Sequence, residues 1–102
     1  MNDVKITYIK TNALKAYAKN AKNHPEKQVQ QIAASIQEFG FNNPILIDET
    51  NEIIAGHGRL EAAKIMQLDT VPAIRLSHLS DAQKRAYRLA DNKISEKGGW
   101  NT

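Results

Sequence analysis

Apolar and polar residues alternate at the start of the chain: Val4, Ile6 and Tyr8 stand between polar neighbours, the two-residue period of a half-buried strand. The next stretch, Thr11 to His24, is rich in Ala, Lys and Asn, with little apolar content beyond Leu14 and Tyr17. It reads as irregular with at most a helical turn, and Pro25 discourages helix at the residue before it. The period then changes. Val29, Ile32, Ile36 and Phe39 recur at spacings of three and four, so Glu26 to Phe39 is expected to be an amphipathic helix that stops at Gly40.

Beyond the helix the pattern turns β-like again. Pro44 to Ile47 and Glu52 to Ala55 are short apolar runs flanking Asp48-Glu49-Thr50-Asn51, which reads as a hairpin and its turn. A second helix is expected over Arg59 to Gln67, burying Ala62, Ala63, Ile65 and Met66. Thr70 to Leu76 reads as a strand, with Pro72 arguing for an edge or a strand start. Ser80-Asp81-Ala82-Gln83 is a capping box for a third helix, whose apolar side is expected to be Ala82, Ala86, Leu89, Ala90 and Ile94. The resulting order of strands and helices predicts a small α/β (α+β) domain with a mixed sheet and about three helices.

Composition narrows the chemistry. The chain has 102 residues, enough for one domain with one modest core. It has no cysteine, which removes disulfides, thiolate metal sites and thiol nucleophiles. No apolar run approaches the ~20 residues of a membrane helix, and the first residues do not resemble a signal peptide. A cytoplasmic, soluble protein is the expectation. The net charge of +3 is mildly basic, and its distribution carries more information. Lys10, Lys15, Lys19, Lys22 and Lys27 form one basic segment, and Lys84, Arg85, Arg88, Lys93 and Lys97 form another. Between them, Gln28 to Gly58 has no lysine or arginine. The two segments could meet as a patch for a polyanion or stay separate as solvated faces.

The strongest chemical signal is Ile53-Ile54-Ala55-Gly56-His57-Gly58-Arg59-Leu60-Glu61-Ala62-Ala63. A strand runs into two glycines and an arginine at a helix start. Glycine permits close backbone approach, first-turn amides attract anions, and Arg59 offers a fixed cationic fork. Amides from Gly58 to Leu60 and the Arg59 guanidinium are therefore expected at a phosphate. The alternative for Arg59 is an ion pair with Glu61 or Asp69. His24, His57 and His78 lack short ligand spacing, so no metal site is expected, and no residue is assigned a catalytic role.

These motifs together resemble the N-terminal domain of ParB-like proteins, in the ParB/sulfiredoxin superfamily, over roughly Val4 to Trp100. Gln28 to Ile45 looks like the family's helix followed by G-x-x-x-P, Ile54 to Ala63 like its I-x-G-E-R-R-x-x-A-A motif, and Leu68 to Ala73 like its V-P-A segment. Tyr17 to His24 and Leu89 to Ile94, with Trp100, look most like ParB-type domains fused ahead of DNA modification methyltransferases of phages and mobile elements. The resemblance implies one domain over residues 1–102, the N-terminal fragment of a longer protein, with residues 98–102 as a linker or a cut end. It implies a nucleoside triphosphate with Mg²⁺ as ligand, held by Gly56, His57, Gly58 and Arg59 together with Lys19, Lys22, Asn23 and His24. DNA is the implied partner, directly through Lys84, Arg85, Arg88 and Lys93 or through the parent protein, and a homodimer is compatible with it.

The sequence also departs from the family. Gly56-His57-Gly58-Arg59 lacks the glutamate and first arginine of G-E-R-R, and without cysteine the sulfiredoxin reaction is excluded. A free-serine kinase of the superfamily carries a similar G-H-H-R loop, but its glutamate bases have no clear match here. A binding module is expected rather than an enzyme. The competing readings are a ParB-like nuclease or nucleotide hydrolase, drawing carboxylates from Glu52, Glu61 or Asp69, and an interaction domain with a decayed pocket.

Overall fold

A computed structural model describes residues 5–17 and 26–96, with side chains described through residue 90. Four strands, β1 (Ile6–Lys10), β2 (Ile45–Ile47), β3 (Ile53–Ala55) and β4 (Thr70–Arg75), form one sheet in the order β1-β4-β2-β3. β1 and β4 are antiparallel, β2 and β3 are antiparallel, and β2 and β4 are parallel. Three helices, α1 (Glu26–Phe39), α2 (His57–Ile65) and α3 (Asp81–Glu96), complete the described part. The expected mixed sheet with three helices is what the chain forms.

The core lies between the sheet and α2. Ile45, Ile47, Ile53, Val71 and Ala73 of the strands pack with Leu60 and Ala63 of α2 and with Leu14. Leu14 follows a short 3-10 turn, Thr11–Ala13, the helical turn anticipated in that stretch. Ile9, Phe41 and Leu68 close the rim of this cluster. α1 packs along α2, burying Val29. Its last expected anchor, Phe39, is instead 70% exposed. The helix stops there because Gly40 takes a left-handed conformation (φ 94°) while its amide still bonds to Ile36 C=O at 2.8 Å.

Pro72 is neither at a sheet edge nor at a strand start. β4 is an inner strand and Pro72 sits in its middle, opposite Tyr8. The Thr11 amide donates to Asp69 C=O (2.9 Å), so by alternation Tyr8 and Pro72 form a non-hydrogen-bonded pair. The Pro72 nitrogen therefore points toward β2, whose pairing with β4 begins one residue later, at Ala73. No ladder bond is lost.

α2 begins two residues earlier and ends two earlier than expected. Gly56 caps it in a left-handed conformation (φ 111°, ψ 24°), which brings His57 and Gly58 into the first turn. At the other end Gln67 turns left-handed (φ 59°) and the Leu68 amide reaches back to Ala63 C=O at 3.0 Å, a Schellman-type stop. Leu60, Ala62 and Ala63 define the buried face of α2, and Ile65, on the opposite side of the helix, is 57% exposed.

Candidate phosphate loop and its supports

β2 and β3 are antiparallel, so the residue before β2, Pro44, and the residue after β3, Gly56, lie at the same end of the sheet. Arg59 joins them: its Nη2 donates to Pro44 C=O at 3.1 Å. Position 56 favours glycine on two counts. Besides the positive φ, a Cβ there would stand 3.1 Å from Arg59 Nη2, 3.2 Å from Ile45 Cγ1 and 3.3 Å from Ile45 Cα. The turn is thus pressed against β2 and the guanidinium is folded beside it. The Leu60 amide, expected at a phosphate, closes onto Gly56 C=O at 3.0 Å instead. First-turn amides ahead of that bond project along the axis of α2 from its N-terminus, where the helix dipole favours an anion.

His57 holds a neighbour. Its Nε2 accepts the Tyr17 amide at 3.1 Å. The segment leading to Tyr17 is itself fixed to the hairpin: the Lys15 amide donates to Asn51 C=O (2.9 Å) and the Ile53 amide to Lys15 C=O (2.8 Å). This places Lys15 in a parallel bridge with Glu52, along the outer side of β3. The Tyr17 ring lies under Arg88 of α3, with the guanidinium carbon 3.7 Å from its centroid, a cation–π contact.

The predicted DNA-facing set is divided by the fold. Lys84 and Arg88 are 7% and 4% exposed, not members of an open basic surface. Lys84 Nζ pairs with Asp48 Oδ2 and Glu49 Oε2, both at 3.3 Å. Arg88 donates through Nη2 and Nε to Ile53 C=O (3.0 and 3.2 Å) and pairs with Glu52 (3.4 Å). Spaced four apart, they share one helix face, and that face turns inward because the hairpin offers it three carboxylates. The side expected to be buried faces out: Ala82, Ala86 and Ala90 are exposed and Leu89 is 66% exposed. Arg85 is exposed on α3. The side chain of Lys93, and Lys19, Lys22, Asn23 and His24, lie outside the described residues.

Asp48 is the centre of this docking. Its Oδ1 accepts the Thr50 amide, the Thr50 hydroxyl and the Glu52 amide at 2.8, 2.8 and 3.0 Å. Burial alone would raise its carboxyl, but the bonds from Thr50, Glu52 and Lys84 outweigh burial and hold it at about 2. Burial pushes Lys84 down, and its bonds to Asp48 and Glu49 more than reverse this and raise it. Arg75 Nη1 completes the turn, donating to Asp48 C=O and Asn51 Oδ1, both at 2.8 Å.

Of the three carboxylates a nuclease or hydrolase was expected to draw on, one is committed, one lies past the far end of α2 and one stays exposed on that helix. Glu52 belongs to Arg88, Glu61 is exposed on α2, and Asp69 follows the opposite end of that helix. Among the described residues no three acidic, histidine or cysteine side chains are grouped to hold a metal ion, and no helix is long and apolar enough to cross a membrane.

The family model of the ParB N-terminal domain matches residues 1–93. The chain belongs to the ParB N-terminal domain family. It is 51% identical over 82 residues to the ParB-like nuclease domain-containing protein YnaK of Escherichia coli, covering 80% of this chain and 94% of that protein. Against longer relatives it spans about a quarter of their length. Stage 0 sporulation protein J of Bacillus subtilis, 32% identical over 70% of this chain, is covered over 26%. The fold matches the chromosome-partitioning protein ParB of Caulobacter crescentus, complexed with CTP-γ-S, at a TM-score of 0.74 (23% identity, 86% of this chain, 52% of that chain). It also matches sulfiredoxin of Arabidopsis thaliana at 0.68 (17% identity, 81% and 96%) and a free serine kinase in complex with AMP at 0.64 (20% identity, 78% and 34%).

Two residues of this ParB-type domain escaped the sequence reading. Asp48 opens an Asx-type turn, for which Asp-x-Thr was a legible signal. Tyr17, the joint between His57 and Arg88, had no local signal, because both of its partners are distant in sequence.

Proposed function

We propose that this chain is a nucleotide-binding, DNA-associated ParB-type module in which the Gly56–Arg59 turn holds the phosphates. The observation that carries this reading is the glycine turn itself. Gly56 takes a left-handed conformation and sits tight on β2, where a Cβ would crowd Ile45 at 3.2–3.3 Å, and it starts α2 beside the Arg59 guanidinium. Such an arrangement suits a polyphosphate. Structures of this fold bound to CTP-γ-S and to AMP support a nucleoside phosphate as ligand, taken with Mg²⁺. Lys19, Lys22, Asn23 and His24 are proposed to close over it.

DNA contact is proposed through phosphates rather than bases, drawing on Arg85 and Lys93 and no longer on Lys84 and Arg88. Work in the cytoplasm at the nucleoid, and self-association, follow from the same family reading. A position ahead of a DNA modification methyltransferase is supported by the resemblance of residues 17–24 and 89–94. YnaK shows that a domain of this size also occurs with little else attached.

Equilibrium binding of CTP, ATP and GTP, with and without Mg²⁺, tests the site. Arg59→Ala should weaken the preferred nucleotide at least ten-fold, the worth of a charge-assisted bond of about 1.5–3 kcal/mol. Unchanged affinity in a folded Arg59→Ala protein would remove the phosphate role of the turn.

A further inference from the structure

β1 and β3 are the two outer strands of the sheet, and their free edges differ. The edge of β3 is closed at Ile53, whose amide donates to Lys15 C=O (2.8 Å) and whose carbonyl accepts from Arg88. The edge of β1 is open: among the described residues it pairs with β4 alone. Tyr8 and Pro72 form a non-hydrogen-bonded pair, so the amide and carbonyl of Tyr8 point away from β4. By alternation those of Ile6 and Lys10 do the same. Ile9 packs on the core, which leaves Ile6 and Tyr8 on the opposite sheet face, 51% and 67% exposed.

We propose that the open edge of β1 docks an extended acidic peptide, which adds a strand beside β1. Backbone groups that alternate donor and acceptor at strand spacing match another extended backbone, whereas a nucleic-acid phosphate only accepts. Ile6 and Tyr8 offer apolar partners to alternate residues of the incoming strand. Charge sets the class of peptide. Lys5 and Lys10 bracket the apolar pair, and both are exposed. Beside the end of β1 lies a cleft of about 690 Å³ whose lining includes Lys10, Asn12, Lys64, Gln67 and Asp69, two lysines against one carboxylate. Among the described residues, Lys5, Lys10 and Lys64 have no ion-pair partner.

A second copy of this chain fits the edge less well. Antiparallel pairing of two β1 strands brings Lys5 of each beside Lys10 of the other, and residues 5–10 hold no acid to offset them. Like charges at both ends disfavour that pairing. Lysines on an edge strand guard it against aggregation and leave it open to a partner of opposite charge. The site is separate from the phosphate loop, because Gly56 follows β3, at the other edge of the sheet.

The test is selection of a random dodecapeptide display library on the full chain, followed by titration of enriched peptides into wild type and two variants. Tyr8→Pro removes an outward amide and no bond to β4, a placement proline tolerates on an edge strand. Lys10→Glu combined with Lys64→Glu reverses the charge at the cleft and keeps the test open if the proline variant does not fold. Thermal midpoints serve as folding controls. Wild type should enrich peptides in which aspartate or glutamate flanks alternating apolar residues. Tyr8→Pro and the charge reversal should each bind them at least ten-fold more weakly. An enriched peptide should shift the Ile6, Tyr8 and Lys10 amides of labelled wild type and leave Gly56–Leu60 in place. Failure to enrich any peptide, or equal affinity in wild type and a folded Tyr8→Pro, overturns the docking site. Enrichment of uncharged or basic peptides overturns the acidic class. A DNA duplex that shifts the same amides and binds Tyr8→Pro as tightly as wild type assigns the edge to nucleic acid and overturns the proposal.

Discussion

Gly56 and Asp48 show how single residues set this domain. At Gly56 the backbone has a positive φ, and a Cβ would crowd Arg59 and Ile45 at 3.1–3.3 Å. Gly56→Ala is therefore expected to destabilise the fold by about 1–3 kcal/mol, read as a lowered urea midpoint with an unchanged slope. Gly58, in regular helix, should tolerate alanine with little loss. Asp48 makes a pH prediction. Its folded carboxyl is held at about 2 against an ordinary 3.8, so the stabilisation is complete above about pH 4 and is lost as pH falls toward 2. That shift corresponds to roughly 2 kcal/mol. Urea unfolding at pH 4 and pH 2 should show this extra loss in wild type and not in Asp48→Asn; equal losses would remove Asp48 as the anchor.

At the scale of elements, α3 is the part whose docking runs against its own pattern. Ala82, Ala86, Leu89, Ala90 and Ile94 at helical spacing predicted an apolar face inward, and the start of the helix was legible from its capping box. Ser80 and Gln83 exchange the expected bonds at 2.8 and 3.1 Å. The orientation was not legible, because it is decided by Asp48, Glu49 and Glu52, some thirty-five residues away in the chain. Three carboxylates at a hairpin outweigh a stripe made mostly of alanine, which buries little area per residue. By contrast α1 and the hairpin carry their own signals in sequence, and both form where the pattern put them. Arg88→Ala leaves Glu52 and Ile53 C=O without their partner and removes the cation from Tyr17. Amide exchange of α3 should then speed up by at least ten-fold while the β2 and β4 amides keep their protection. Uniform acceleration throughout the molecule would mean that α3 is part of the global folding unit and is not held separately.

Over the whole molecule, the sheet order, the buried face of α2 and the glycine turn bring β2, β3 and the N-terminus of α2 to one end. The turn was readable because strand, glycine and arginine are contiguous there. The supports of the turn were not, because Pro44 and Tyr17 reach it only through the folded sheet. Family membership and fold are established by the match over residues 1–93 and by the solved structures, and what the chain binds is the claim that remains to be measured. The most direct measurement is an amide NMR titration of the labelled domain with CTP, ATP, GTP and a short DNA duplex, each with and without Mg²⁺. The account predicts saturable shifts with one nucleotide, confined to Gly56–Leu60, Tyr17 and residues 18–24. Shifts produced by DNA alone, on α3 and away from the glycine turn, would contradict it.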